Sequence, residues 1–322
     1  MSTMWVLAAL VAGTASGQDI VGGSTTDDFP EVGSLAVQMG TDFRSFCSGT
    51  LVRSTWVMTA AHCLDSADQL RARGERVVFV VGSSVRDTDI EDYVEVERTI
   101  AHPDWGTRWA DIGLVELSGR GLEDWPTMRL NEDPYEDFWN DSYVTHVGYG
   151  ATGDDGRGSG IKRTVDIPVE DGLGDMLVMW DPDHQTNVCN GDSGGAAFRP
   201  DDETGELELV GVNAIVFSIE GGEPSCEGPD AANGATRVDL YMDWVLEHIG
   251  PEEVDETPAP AEDAIETVDE DGPEVPPAPL KTSTPDQPDP PGACATVSLS
   301  STLWAWLAGL VVVGRRRAGT ER

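Results

Sequence analysis

Gly191-Asp-Ser193-Gly-Gly195 and Thr59-Ala-Ala-His62-Cys63 are the two short strings on which the reading of this 322-residue chain turns. An unassisted serine hydroxyl is a poor nucleophile at neutral pH, so Ser193 needs a base of pKa near 7 within hydrogen-bond reach. His62 is the candidate base. Gly191 and Gly194 flank the serine, where the backbone must turn tightly and bring N–H groups to a developing oxyanion with no Cβ in the way. The N–H groups of Gly191 and Ser193 are the candidate donors. Asp111 follows Trp109-Ala110 and opens the apolar run Ile112-Gly-Leu-Val115. A buried carboxylate at the head of a strand costs several kcal/mol unless something bonds it, and an imidazole N–H is the partner that meets this need. The other histidines, His102, His146, His184 and His248, read as surface or core residues.

Around these strings, from Ile20 to about Gly250, short apolar or alternating runs such as Arg76 to Val81, Tyr143 to Gly148 and Glu206 to Phe217 are punctuated by Gly and Asp. That texture predicts a β-rich globular domain. One helix is expected: Val238, Tyr241, Met242, Val245, Leu246 and Ile249 recur at the spacing that puts them on one face, and Gly250-Pro251 ends the segment. The fold class that follows is a mostly antiparallel all-β domain with a closing helix.

Composition bounds the rest. With 59 acidic against 20 basic residues, the formal net charge is −39. Nucleic acid is excluded as the default partner, because a chain this negative repels phosphates instead of releasing their counterions. Residues 1–17, with the apolar run Trp5 to Val11 followed by small residues, have the layout of a secretory signal peptide cleaved before Gln18. From Pro251 to Gly292 the chain holds 11 of its 20 prolines and 13 acidic residues, with Lys281 the only base. Proline stiffness and charge repulsion predict an extended, unfolded linker of up to about 130 Å over 251–293. Ala295 to Gly314 carries no charge and is followed by Arg315, Arg316 and Arg317. About 20 apolar residues cross a bilayer core, and a basic cluster stays on the cytoplasmic side, so the domain before the segment would lie outside.

Together with Ile20-Val-Gly-Gly23, Asp111-Ile-Gly-Leu-Val-Glu-Leu117 and Gly148-Tyr-Gly150, the two opening strings make the chain resemble the trypsin/chymotrypsin family of serine endopeptidases over about Ile20 to Gly250. The resemblance implies two antiparallel Greek-key β-barrels and hydrolysis of peptide bonds through an acyl-enzyme, with His62, Asp111 and Ser193 as the catalytic set and no cofactor or metal. It implies a zymogen: cleavage before Ile20 frees an ammonium that pairs with Asp192 and orders the oxyanion hole, and signal cleavage would leave Gln18-Asp19 as a two-residue propeptide. It further implies the disulfides Cys47–Cys63 and Cys189–Cys226. At the primary specificity pocket it places Asn187 on the floor, which argues against a strong Arg or Lys preference, and Val216 on the wall, which narrows the pocket towards small apolar side chains. Asp87, Asp89, Glu91 and Asp92 read as a solvated acidic loop in preference to a Ca²⁺ cradle. Cys294, the apolar segment and the Arg cluster, residues 294–322, resemble myxobacterial-type sorting tails. The expectation is therefore a monomeric protease acting on peptides and proteins, secreted and held at the cell surface or membrane by its C-terminal helix. The rival readings are a catalytically inert, surface-displayed binding module on the same fold and an envelope structural protein whose acidic stalk matters most.

Overall fold

A computed structural model describes residues 20–251 apart from 87, 88, 137, 138, 140, 141 and 184. The expected signal peptide, the Gln18-Asp19 dipeptide, the linker beyond Pro251, Cys294, the Ala295 to Gly314 segment and the Arg cluster lie outside the described residues. No helix among the described residues is long and apolar enough to cross a membrane.

The first half of the domain is a closed barrel of six antiparallel strands: β2 (Val32–Met39), β3 (Asp42–Arg53), β4 (Trp56–Thr59), β5 (Arg76–Gly82), β6 (Ile90–Ala101) and β7 (Gly113–Leu117), after the short β1 (Ser24–Thr25). Around the barrel the order is β2-β3-β4-β7-β6-β5, with β5 returning to β2. The chain therefore leaves β4 and re-enters beside β2, a non-sequential crossing of Greek-key type. Closure removes free strand edges, and it forces bulky side chains inward. Phe79 fills the middle of this barrel, and it fits because Gly33 and Gly49 face it: a Cβ on Gly33 would stand 2.4 Å from the Phe79 ring and one on Gly49 3.2 Å. Leu51, Met58, Leu64 and Leu114 are at most 2% exposed around it, each worth about 1.5–3 kcal/mol of apolar burial.

The second half comprises β8 (Tyr143–Gly148), β9 (Arg163–Leu173), β10 (Met176–Met179), β11 (Ala196–Pro200), β12 (Leu207–Ser218) and β13 (Ala231–Arg237). They run β9-β10-β13-β12-β11-β8, and the β8–β9 pairing closes the ring, while β1 pairs with the start of β9. Val144, Ile167, Leu177, Met179 and Val210 form its core. Tyr149 links the halves: its fully buried hydroxyl donates to the backbone oxygens of Val32 and Gly82 in the first barrel.

Two helices complete the domain. Helix α2 (Met242–Ile249), preceded by a 3-10 turn at Asp239–Tyr241, is the closing helix expected from sequence. Val238, Met242 and Val245 are buried, and Gly250 ends it at φ 75°, donating its N–H to Leu246. Helix α1 (Ala61–Ala72) was not expected. Its buried face is Ala61, Cys63, Leu64 and Ala67, mostly small residues that leave a faint apolar periodicity, and its N-cap, Ala60, has no side chain able to cap.

Candidate active site

The cleft between the barrels receives one set of groups from each side. His62 stands on the first turn of α1, directly after β4, and Asp111 lies just before β7. Ser193 comes from the turn before β11 of the second barrel. All three line one cleft of about 380 Å³. His62 Nδ1 lies 2.7 Å from Asp111 Oδ2, and the His62 backbone N–H donates to Asp111 Oδ1 at 2.9 Å. Asp111 thus performs two tasks with two oxygens. One orients the imidazole, and the other takes a helix N–H that Ala60 cannot cap, where an anion also favours the helix dipole. The backbone of Asp111 is itself held by Thr236, whose Oγ1 donates to the Asp111 carbonyl at 3.0 Å.

The turn that carries Ser193 is shaped by close approach. Gly194 has φ 81°, and a Cβ there would lie 2.0 Å from Thr59 Oγ1 and 2.4 Å from the Ser48 carbonyl. Gly191 has φ 99°. Both positions call for glycine. The N–H of Asp192 donates to Cys189 O (3.0 Å), that of Gly194 to Asn213 O (2.7 Å) and that of Gly195 to Asp192 O (2.9 Å). Among the described residues no acceptor takes the N–H of Gly191 or of Ser193.

Sequence reading missed the residues that support this turn. Ser48 is fully buried in β3: its N–H donates to Ser193 O (2.8 Å), its Oγ donates to Gly191 O (2.9 Å) and accepts from Tyr149 N–H (2.9 Å). Asn213, on β12, accepts from Gly194 N–H and donates its own N–H to Gly195 O. Its Oδ1 meets Nδ1 of the fully buried His146 at 2.7 Å, and burial lowers the His146 pKa from 6.5 to about 4. A lone serine, asparagine or histidine in a strand announces nothing of this kind. The signal appears only when β3, β8 and β12 converge.

Asp192 is fully buried. Its Oδ1 accepts from Gly150 N–H at 2.7 Å and its Oδ2 from Cys189 N–H at 2.8 Å. Burial pushes its carboxyl up to about 6, opposed by the two amides and by the Arg163 charge. Ile20 is also fully buried, among Val144, Val165 and Val188. The following residues dock on the loop before the nucleophile: Asn187 N–H donates to Val21 O at 3.0 Å, and a Cβ on Gly22 would lie 1.9 Å from Gln185 O. No hydrogen bond joins Ile20 to the Asp192 carboxylate among the described residues.

On the pocket side, the cleft is walled by Val216, Val188 and Met176. Asn187 is 2% exposed and does not line it; its Oδ1 accepts from Nδ2 of Asn233 at 2.8 Å, and Asn233 sits opposite Val216 across β12 and β13. Trp105 and Trp109 line the cleft near His62, and Trp109 is 65% exposed. The bridges Cys47–Cys63 and Cys189–Cys226 are both formed, with Cα–Cα spacings of 6.1 and 5.2 Å. Cys63 follows His62, and Cys189 holds Asp192, so each bridge fixes one side of the cleft. The same oxidation disposes of two clusters with metal-ligand proximity, Cys47/His62/Cys63 and Asp154/Cys189/Cys226, because their sulfurs are not thiolates. Of the acidic loop, residue 87 lies outside the described residues, and Asp89 Oδ2 accepts from Ser84 Oγ at 2.9 Å.

A serine on one closed barrel facing a histidine and aspartate from another is the arrangement of the chymotrypsin fold class. The chain belongs to the trypsin family, whose profile, described as "Trypsin", matches residues 20–245. It is similar to chymotrypsin-like elastase family member 1 of Macaca fascicularis, 28% identical over 257 residues that cover 74% of this chain and 88% of the relative. The Bos taurus protein of the same name is 25% identical over 254 residues, covering 70% and 88%. Clotting factor G beta subunit of Tachypleus tridentatus is 26% identical over 231 residues, covering 63% and 71%.

Proposed function

We propose that this chain is a serine endopeptidase that hydrolyses peptide bonds through an acyl-enzyme. The carrying observation is that Asp111 holds the His62 imidazole by Nδ1 in the same cleft that Ser193 lines. With Nδ1 engaged, Nε2, which lies 3.6 Å from Cys63 Sγ, is the nitrogen left to act on the serine. Ser193 Oγ attacks the substrate carbonyl as its proton passes to His62, and Asp111 stabilises the imidazolium. The charge forming on the carbonyl oxygen meets the N–H groups of Gly191 and Ser193. His62 then gives the proton to the departing amine, and water repeats the sequence to free the acid.

Small apolar side chains are the proposed primary preference, since Val216, Val188 and Met176 wall the pocket and Asn187 lies buried behind it. Two of the similar proteins named above are elastase-like, in keeping with that preference. The protein is made as a zymogen in this account, activated when Ile20 becomes the N-terminus and its ammonium pairs with Asp192. Ile20 supports this: it is fully buried among Val144, Val165 and Val188, in the barrel whose loop carries the buried Asp192. Secretion through residues 1–17 and tethering through 294–322 complete the proposal. Cleavage of a peptide library by material beginning at Ile20 tests activity and preference together. The expected result is hydrolysis after small apolar residues, while cleavage after Arg or Lys alone refutes the preference.

A further inference from the structure

Arg163 opens β9 as a charged residue only 2% exposed. A guanidinium does not shed its charge on burial, so it must be held by acceptors or anions. Its Nη1 points at three carbonyls, those of Gly158 (2.7 Å), Ile161 (3.1 Å) and Gly150 (3.4 Å). These carbonyls define both ends of the loop 150–161. Gly150 is the residue whose N–H holds Asp192 Oδ1, and a Cβ on it would lie 2.4 Å from the Asp192 Cγ. Across the β8–β9 ladder Arg163 pairs with Gly148, where a Cβ would stand 2.4 Å from Asp192 Oδ1. One buried cation therefore grips the segment against which the Asp192 carboxylate is pressed. Its charge also acts on that carboxylate, favouring the ionised form.

We propose that Arg163 is a positioning residue for the oxyanion turn: through the Gly150 carbonyl it fixes the residue whose N–H holds Asp192, and its buried charge supports the Asp192 carboxylate alongside any ammonium at Ile20. The inference rests on the endopeptidase reading for its effect on rate, and on the Gly150 contacts and the buried charge for its effect on Asp192. Removing the charge leaves the carboxylate held by two amides, so the turn loses order without any change in the walls of the cleft. The expected kinetic signature is a lower kcat with little change in KM.

The test compares Arg163→Lys and Arg163→Met, in the chain trimmed to Ile20 for kinetics and in the untrimmed chain for melting. For the first readout, Arg163→Met lowers kcat about tenfold or more with KM nearly constant, and moves the acid limb of the kcat/KM profile to higher pH, while Arg163→Lys keeps the wild-type limb. The second readout needs no activity and uses melting temperature in a Ser193→Ala background. The Lys variant's advantage over the Met variant grows by about 3 °C as Asp192 ionises between pH 5 and 8, and the growth vanishes when Asp192→Asn is added. A flat difference overturns the proposal, as does a Met variant with wild-type kcat and acid limb. Should Arg163→Met fail to fold, Arg163→Gln takes its place in both readouts. A wild-type chain trimmed to Ile20 with no activity, combined with the expected melting behaviour, refutes the endopeptidase reading and leaves the Arg163–Asp192 coupling standing.

Discussion

On the cleft side of the nucleophile turn, the His62 side chain is 34% exposed and Trp109 reaches solvent, whereas on the opposite side Ser48, His146, Arg163 and Asp192 are all at most 2% exposed. In the proposed reaction the first side admits a substrate and exchanges a proton. The second holds backbone donors in place, which takes rigid and dry partners, and it pays for that dryness with shifted titrations. Asp192 is raised to about 6 and His146 lowered to about 4, both by burial first. Chemistry and the ordering of chemistry are thus assigned to different dielectric surroundings a few residues apart.

The largest expected effect breaks the cleft side alone. Ser193→Ala removes one hydroxyl from a turn held by the Ser193 carbonyl, the Asp192 carboxylate and the amides of Gly194 and Gly195, so peptidase activity falls by about 10⁴-fold or more with melting temperature unchanged. Kinetics with an elastase-type peptide and a thermal melt check both halves. Asp192→Asn breaks the buried side. Each carboxylate oxygen accepts one N–H, so an amide must turn its NH₂ against Gly150 or Cys189, and kcat falls about 10²–10³-fold as the oxyanion donors lose their aim. Equal kcat in this variant would show that the turn needs no buried acceptor.

A subtler probe is pH. His146 has a folded pKa below its unfolded value, so the unfolded chain binds the extra proton between about 6.5 and 4, and stability is lost as pH falls through that window. Asp192 acts oppositely: its folded value is raised, so acidification from about 6 favours the folded state. The two partly cancel in the wild type. His146→Gln, which keeps a donor for Asn213, removes one of them, so the variant gains on the wild type as pH drops from 7 to 4, by up to about 3 kcal/mol. Denaturant titrations at the two pH values measure this, and a constant difference between the proteins contradicts it. Smallest is Val216→Gly, expected to shift preference towards larger side chains by about tenfold with kcat on small ones little changed.

The same division explains what could be read from sequence. His62, Asp111 and Ser193 lie in contiguous strings whose residue types fit one chemistry, and α2 shows itself by a strong apolar period. Helix α1 was hidden because its cap is Asp111, supplied 49 residues further on, and because its buried residues are mostly small. Ser48, Asn213, His146 and Arg163 were hidden for a related reason: each is ordinary where it stands, and acquires its role only when strands from distant parts of the chain meet. Asn187 was legible as a neutral residue, yet its burial against Asn233 depends on the β12–β13 register.

The most direct test of the central claim is covalent. Full-length protein with its N-terminus trimmed to Ile20 is treated with a fluorophosphonate, digested, and the adduct located by mass spectrometry. The account predicts near-stoichiometric modification on Ser193, abolished by His62→Ala. No adduct, or one on another residue at equal rate with and without His62, would contradict it.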